Sequence, residues 1–391
     1  MEVLEDFDLV IGEVIRIKGQ DIFNRNTRNI IMPTALIKKI AIHQFRGLKK
    51  TKLSELRRVN LIGGPNNIGK TVLLEALLLN CAPTAQNVSL LKRLRGFDTE
   101  YDKEFPEYTW DNFFYNQQKP ITIVCTYDDD REITLSIHCD ESKANFESSQ
   151  EADNVTDLIS VSHFETTLKS TLYFNYLIDG KNYPVLALIS HAKGITATFK
   201  THEITQVSYM PPSYQRTNAS LAKEYGKAEK RNQADLVLKA LQIMDSSIED
   251  IKTAVVGGIH LEVKRQKGHF MPLSLFGDAM KKVTNIVLNL INNNSAVLLI
   301  DEIENGIHHT VQEAFWVFLF KLATEFEVQI FATSHSAEMI QAFDKVCLMS
   351  AHNGAYFELR RNPRMDNIVG TIHEPDVLDY ELKHEKDYRG E

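Results

Sequence analysis

Four stretches of this chain combine residue types that can grip a phosphate chain. Gly64-Pro65-Asn66-Asn67-Ile68-Gly69-Lys70-Thr71 fits the spacing G-x-x-x-x-G-K-[ST]. Glycines in such a loop let the backbone curl until successive N–H groups point inward at an anion. A helix starting near Lys70 aims the positive end of its dipole at the same point. Lys70 suits the β- and γ-phosphates of a nucleoside triphosphate, and the Thr71 hydroxyl suits Mg2+. Gly64, Asn66, Asn67, Gly69, Lys70 and Thr71 are therefore the expected phosphate-binding residues.

Val297–Ile300 is a run of four apolar residues followed by Asp301 and Glu302. A central strand there delivers two carboxylates to its C-terminal edge, where ligands sit in open α/β sheets. Asp301 is expected to hold Mg2+, directly or through water, and Glu302 to polarise an attacking water. A third strand, ending in Thr333-Ser334-His335-Ser336, places His335 where it could bond a γ-phosphate and sense its loss. Upstream, Pro272-Leu273-Ser274-Leu275-Phe276-Gly277-Asp278 sets a hydroxyl and a glycine before a helix, a second N-terminal anion site. Alone, that segment is a helix cap, with Ser274 or Asp278 satisfying free N–H groups.

The elements that must position these residues follow from periodicity. ALIKKIAIHQF and TKLSEL read as strands, Val59–Gly64 as a short buried strand, and TVLLEALLLN as a helix apolar on nearly every side. Residues 82–115 show no clear period and read as surface helices or loops. ITIVCTYDDDREITLSIHC reads as a hairpin with Asp128–Arg131 at its tip, and TLYFNYLIDGKNYPVLALIS as another turning at Asp179-Gly180. The polar stretch 140–165 reads as a loop, and Ser220–Met244 as one helical region. Then come a helix over Gly277–Leu290, strand Ser295–Ile300, helix Thr310–Leu322, strand Val328–Ala332, a short helix over Ala337–Phe343, and strands Val346–Met349 and Ala355–Leu359. This alternation predicts a mostly parallel sheet flanked by helices. The expected divisions are a β-rich extension over 1–34, a first lobe over 35–210 that holds the phosphate loop and a β-rich region, and a second lobe over 211–391.

Composition narrows the classes. With 391 residues, 43% hydrophobic and 25% charged, the chain is ordinary globular material. A net charge of -8 excludes a nucleic-acid coat, so any DNA contact must come from local basic clusters such as Lys49, Lys50, Lys52, Arg57 and Arg58, or Lys92, Arg93 and Arg95. Four scattered cysteines argue against a disulfide framework. The acidic N-terminus is wrong for a secretory signal, and no apolar run approaches the ~20 residues of a membrane helix. A soluble, cytoplasmic protein with no membrane partner is expected.

In this order the elements resemble the ABC-type ATPases, in the SMC/RecF/OLD-like branch of AAA-type proteins. The matching pieces are Ile42, Phe45, Arg46 and Gly47 (I-x-x-F-R-G), the phosphate loop, L-S-L-F-G-D, L-L-I-D-E-I-E-N-G-I-H-H and F-A-T-S-H-S. The resemblance spans about 35–100 and 205–385 and implies an α/β P-loop NTPase with an ABC-type head, a mixed sheet with flanking helices, and a β-rich lobe. It further implies ATP and Mg2+ held between two copies of the chain, a homodimer or higher oligomer in which Ser274 and Gly277 of one copy reach the γ-phosphate bound by the other. Asn305 and Gly306 would line that seam, Arg46 would lie near the nucleotide, and Gln86 would be the magnesium-contacting glutamine, at a short spacing. Asp278-Ala279 departs from the Asp-Gly of many relatives.

Relatives of the OLD type add a C-terminal Toprim nuclease. About 55 residues follow His335 here, too few for one, so no nuclease activity is expected in this chain. The resemblance implies an ATP-driven switch working with a separate effector, a nuclease or toxin, as in prokaryotic anti-phage defence. A RecF-like repair ATPase gripping duplex DNA and a slow-turnover scaffold are the alternatives. DNA-stimulated turnover marks the first of these, and near-zero turnover with ATP-dependent assembly the second.

Overall fold

The computed structural model describes residues 35–373 except 98, 117–118, 141–169, 179, 192, 200–204, 213–215, 294 and 351–352. The expected N-terminal extension, most of the 140–165 loop, Asp179, Tyr214 and the acidic tail lie outside the described residues.

Alternating apolar residues make β1 (Ile37–Phe45) and β2 (Leu48–Ser54) a half-buried antiparallel pair. β3 (Val59–Gly63) is buried throughout and runs into the phosphate loop and α1 (Lys70–Cys81). Helices α2 (Ala85–Arg93) and α3 (Thr99–Glu104) precede β4 (Ile121–Tyr127), β5 (Glu132–Asp140), β6 (Ser170–Ile178), β7 (Lys181–His191) and β8 (Gly194–Phe199). These strands complete a seven-stranded antiparallel sheet of order β2-β1-β4-β5-β6-β7-β8. After β9 (Val207–Met210) come α4 (Asn218–Lys230), α5 (Ala234–Met244) and a small sheet of β10 (Ile248–Ala254), β11 (His260–Arg265) and β12 (Phe270–Pro272). A 3-10 turn, Leu273–Phe276, leads into α6 (Asp278–Asn293), β13 (Val297–Ile300), α7 (Gln312–Glu325), β14 (Gln329–Thr333), α8 (Ala337–Met349), β15 (Gly354–Asn362) and β16 (Asn367–His373).

The second large sheet has the order β16-β15-β3-β14-β13-β9, parallel at every pairing but β15–β16. Both of its faces are buried. Leu61, Leu298, Ile300 and Ile330 point into a core formed with α4 to α8, while Ile62, Leu299 and Phe331 point into a core shared with α1 and the antiparallel sheet. Helix α1 lies between the two sheets, with Val72 to Cys81 all buried, which accounts for its lack of a polar face. Gln329 fastens the sheets together. Its Oε1 accepts from Ile37 N at 2.8 Å, and its Nε2 donates to Ile37 O and Arg57 O, both at 2.8 Å.

Four expectations are corrected. Ser220–Met244 is two helices, broken at Arg231–Gln233 where Asn232 turns left-handed at φ 55. Val346–Met349 is the end of α8 and not a strand, because Val346 and Cys347 pack at helical spacing after Phe343; a four-residue apolar run does not separate the two readings. Residues 82–115 are only partly surface, since Val88, Leu91, Trp110 and Phe113 are core. Lys92, one of the basic cluster, is buried against Asp102 and the Trp110 ring.

Gln329→Leu removes the partners of one amide and two carbonyls in the core. It is expected to destabilise the fold by about 2–4 kcal/mol, read as a lower midpoint in urea at an unchanged slope.

Candidate nucleotide site

The phosphate loop turns on conformations that few side chains allow. Gly64 has φ +128, and a Cβ there would lie 2.5 Å from Leu359 O; Gly69 has φ +103, with Leu48 Cδ2 2.9 Å from the corresponding position. Asn67 is left-handed at φ 59. Ile68 is buried and anchors the loop, while Pro65, Asn66 and Asn67 are exposed at its tip. No side chain caps α1, and its first turn holds no acid. Its free N–H groups and positive dipole end therefore point at the mouth of the loop. Lys70 Nζ donates to Gly64 O at 2.7 Å and to Pro65 O at 3.0 Å, which sets its ammonium in that mouth. Burial pulls its pKa down, against the upward pull of Glu304, Asp301 and Glu302.

Those three acids arrive on the turn after β13. Asp301 is 2% exposed. Its Oδ1 accepts from the Thr333 hydroxyl, and the Thr71 hydroxyl stands close enough to favour the ionised carboxylate. Oδ2 is buried with no hydrogen-bond partner among the described residues. Desolvation pushes the Asp301 carboxyl above its ordinary pKa, the neighbouring Glu302 adds to this, and the two hydroxyls oppose it. Glu302 is left-handed at φ 47. Its N–H donates to Thr333 Oγ1 at 2.8 Å, and its Oε2 accepts from Asn305 Nδ2 at 2.7 Å. Glu304 Oε1 accepts from His335 N at 2.9 Å and lies 2.7 Å from His335 Nδ1.

Thus Gly64, Gly69, Lys70, Thr71, Asp301 and Glu302 come together, with His335 joined to them through Glu304. Other expected residues lie apart. Arg46 pairs through Nε with Glu75 of α1 at 3.2 Å, under Phe45 and Phe113, and Glu75 is also held by Arg95 at 3.1 Å. Its guanidinium sits at the flank of α1, on a carboxylate that in turn feels the charge of Asp301. Gln86 is exposed in the first turn of α2, past the C-terminal end of α1, whose 12 residues rise ~18 Å from Lys70. Ser274 is half-buried and Gly277 exposed, in a turn packed on α6, β11 and β12; no described hydrogen bond or ion pair joins either to the phosphate loop. Gly306 fits tightly over the start of α6, since a Cβ there would stand 2.8 Å from Asp278 Cβ.

The residues that sequence reasoning missed are mostly ones that hold others. Thr333 had a signal, as the hydroxyl directly after a buried strand. Glu304 lies two residues beyond Glu302. Glu75 and Lys282 look like ordinary helix charges in one dimension, yet Lys282 Nζ donates to Glu302 O, Ile303 O and Asn305 O at 3.2, 2.7 and 3.2 Å.

Residues 36–256 match the family described as AAA ATPase domain, and 211–340 match the family described as "AAA domain, putative AbiEii toxin, Type IV TA system". An "ATP/GTP phosphatase" of Helicobacter pylori is 25% identical over 379 residues, which is 91% of this chain and all of that protein. An SMC head bound to the C-terminal winged-helix domain of ScpA has TM-score 0.50 at 10% identity, covering 89% of this chain and 99% of that one. The SMC head domain of Thermotoga maritima aligns at TM-score 0.40 and 12% identity, over 86% and 98%.

A buried carboxyl with a raised pKa holds its proton further up the pH scale than an exposed one, and a divalent cation must displace that proton. Mg2+-dependent nucleotide binding is therefore expected to release protons and to weaken as pH falls, as calorimetry in two buffers of different ionisation enthalpy would read. Thr333→Val removes a hydroxyl that serves both Asp301 and Glu302. It is expected to reduce kcat about 10- to 100-fold in a steady-state hydrolysis assay while the chain stays folded by circular dichroism.

Proposed function

The chain belongs to the AAA ATPase domain family, and we propose that it is a nucleotide-driven switch in which ATP closes a homodimer and hydrolysis reopens it. ATPase activity comes with the family, and the fold is the P-loop, ABC-type α/β arrangement of an SMC head. The switch reading rests on one observation: Lys70, Thr71, Asp301 and Glu302 meet at one loop mouth, while Ser274 and Gly277 remain accessible on other elements.

The residues fit a magnesium–triphosphate pair. Asp301 Oδ2 is a buried oxygen lacking a partner, and with the Thr71 hydroxyl it forms the hard, oxygen-only donor set that Mg2+ favours. The two left-handed glycines open the loop for N–H groups that a phosphate chain can use. Mg2+ held there would neutralise charge on the phosphate chain. Lys70, already directed into the mouth, holds the terminal phosphates, and the α1 N-terminus adds its dipole. Glu302, fixed by Asn305 and Thr333, orients the attacking water and accepts its proton. His335, paired with Glu304, faces the γ-phosphate and registers its departure. Ser274 and Gly277 complete the site from the second copy, with Asn305 and Gly306 at the seam between copies. Gln86 and Arg46 are given no direct contact with nucleotide.

A separate effector, a toxin or nuclease, is the partner that would read the closed state; the match of 211–340 to a family whose AAA domain is itself described as a putative toxin makes an antitoxin-like partner the competing choice. The relative named for ATP and GTP makes GTP the natural competitor substrate.

Lys70→Ala is expected to abolish nucleotide binding, and retained affinity would remove the phosphate loop from its role. Glu302→Gln should bind ATP and accumulate a closed dimer in size-exclusion chromatography with light scattering; normal turnover in that variant would refute its place in hydrolysis. Ser274→Arg should bind ATP but hydrolyse it poorly, and mixing it with Lys70→Ala should restore part of the turnover. Failure of every mixture rules out sites shared between copies. A pull-down with Glu302→Gln in ATP then identifies the effector.

A further inference from the structure

Lys282 is the one cation on α6 that reaches the turn after β13, and an ammonium has three N–H donors. All three are used on backbone carbonyls of a single turn, Glu302 O, Ile303 O and Asn305 O. No donor is left over for a phosphate oxygen, so Lys282 does not read as a second phosphate-binding lysine. Burial lowers its pKa to about 8, even with Glu304, Glu302 and Asp301 nearby; a cation kept in such a place is there for what it holds.

What it holds is an unfavourable conformation. Glu302 is left-handed at φ 47, a region that residues with a Cβ adopt uncommonly and at some cost. Thr333 fixes the start of the turn through Glu302 N and Ile303 N. Lys282 collects the carbonyls of its middle and end, and Asn305, within the same turn, fixes the Glu302 carboxylate. The side chain doing this stands on α6, which begins directly after Gly277. Beside it, a cavity of about 330 Å3 opens between Met210, Pro211, Arg216, Asn285 and Asp301, so the turn is not wedged in place by close packing on that side.

We propose that Lys282 is a positioning residue for hydrolysis: by tying three carbonyls of the 302–305 turn to α6, it keeps the Glu302 carboxylate aimed and makes that aim depend on where α6 sits. The proposal rests on Glu302 acting on the attacking water, as read above. It places the link between the partly exposed Ser274–Gly277 segment and the chemistry of the same copy in one side chain.

The test is steady-state ATP hydrolysis by the full chain with Mg2+. Lys282→Met keeps length and loses charge and donors. It is expected to lower kcat about 10- to 100-fold with KM for ATP within about threefold of the unmodified protein. Lys282→Arg, which restores charge and donors, is expected to recover at least about a third of the lost rate on a logarithmic scale. If Lys282→Met melts below the assay temperature, Lys282→Gln replaces it with the same expected split. An unchanged kcat overturns the proposal. A raised KM at normal kcat also does so, since it would make Lys282 a nucleotide contact, and so does an arginine variant no better than methionine, since that would make it packing. Glu302→Gln is assayed in parallel. If it turns over normally, the reading of Glu302 fails; if it is inactive while Lys282→Met is unimpaired, only the present inference fails.

Discussion

Asp301, Glu302 and Glu304 crowd the mouth of a loop that offers a single lysine, and this local excess of negative charge is what the rest of the molecule accommodates. Carboxylates so close together, one of them buried, repel one another and lose their water. Each is therefore held by a specific group: Asp301 by the Thr333 hydroxyl, Glu302 by Asn305, Glu304 by the His335 backbone and ring. What these groups leave unmet, a divalent cation and its polyanion can supply. Binding energy in such a site comes largely from charge that the folded chain has already gathered and aimed.

Gathering it requires strands that do not move. β13 and β14 are neighbours, each buried throughout, and they carry Asp301 and Thr333 at their adjacent C-terminal ends. β3, on the other side of β14, delivers the phosphate loop to the same edge. Parallel pairing is what sets all three ends side by side, and burial on both faces fixes their register, because slipping any strand by one residue would exchange the side chains of the two cores.

Much of this could be read in one dimension. The loop between Gly64 and Thr71, the apolar run before Asp301 and the hydroxyls after Phe331 each carry their own local pattern, and the strands around them are regular enough to be seen. The helix end at Val346–Met349 was misread because four apolar residues have no period of their own. The break at Asn232 was missed because a single left-handed asparagine leaves the flanking helical spacing intact. Lys92, Glu75 and Lys282 were opaque for a different reason: a charged residue on a helix has the same sequence appearance whether it faces water or a buried partner. For Arg46 the motif was visible but not the Glu75 carboxylate that pairs with it.

Helix α1 has one further consequence. Packed between two sheets with Val72 to Cys81 all buried, it has no side left for a partner to grip, so whatever touches this helix must do so at its amino end.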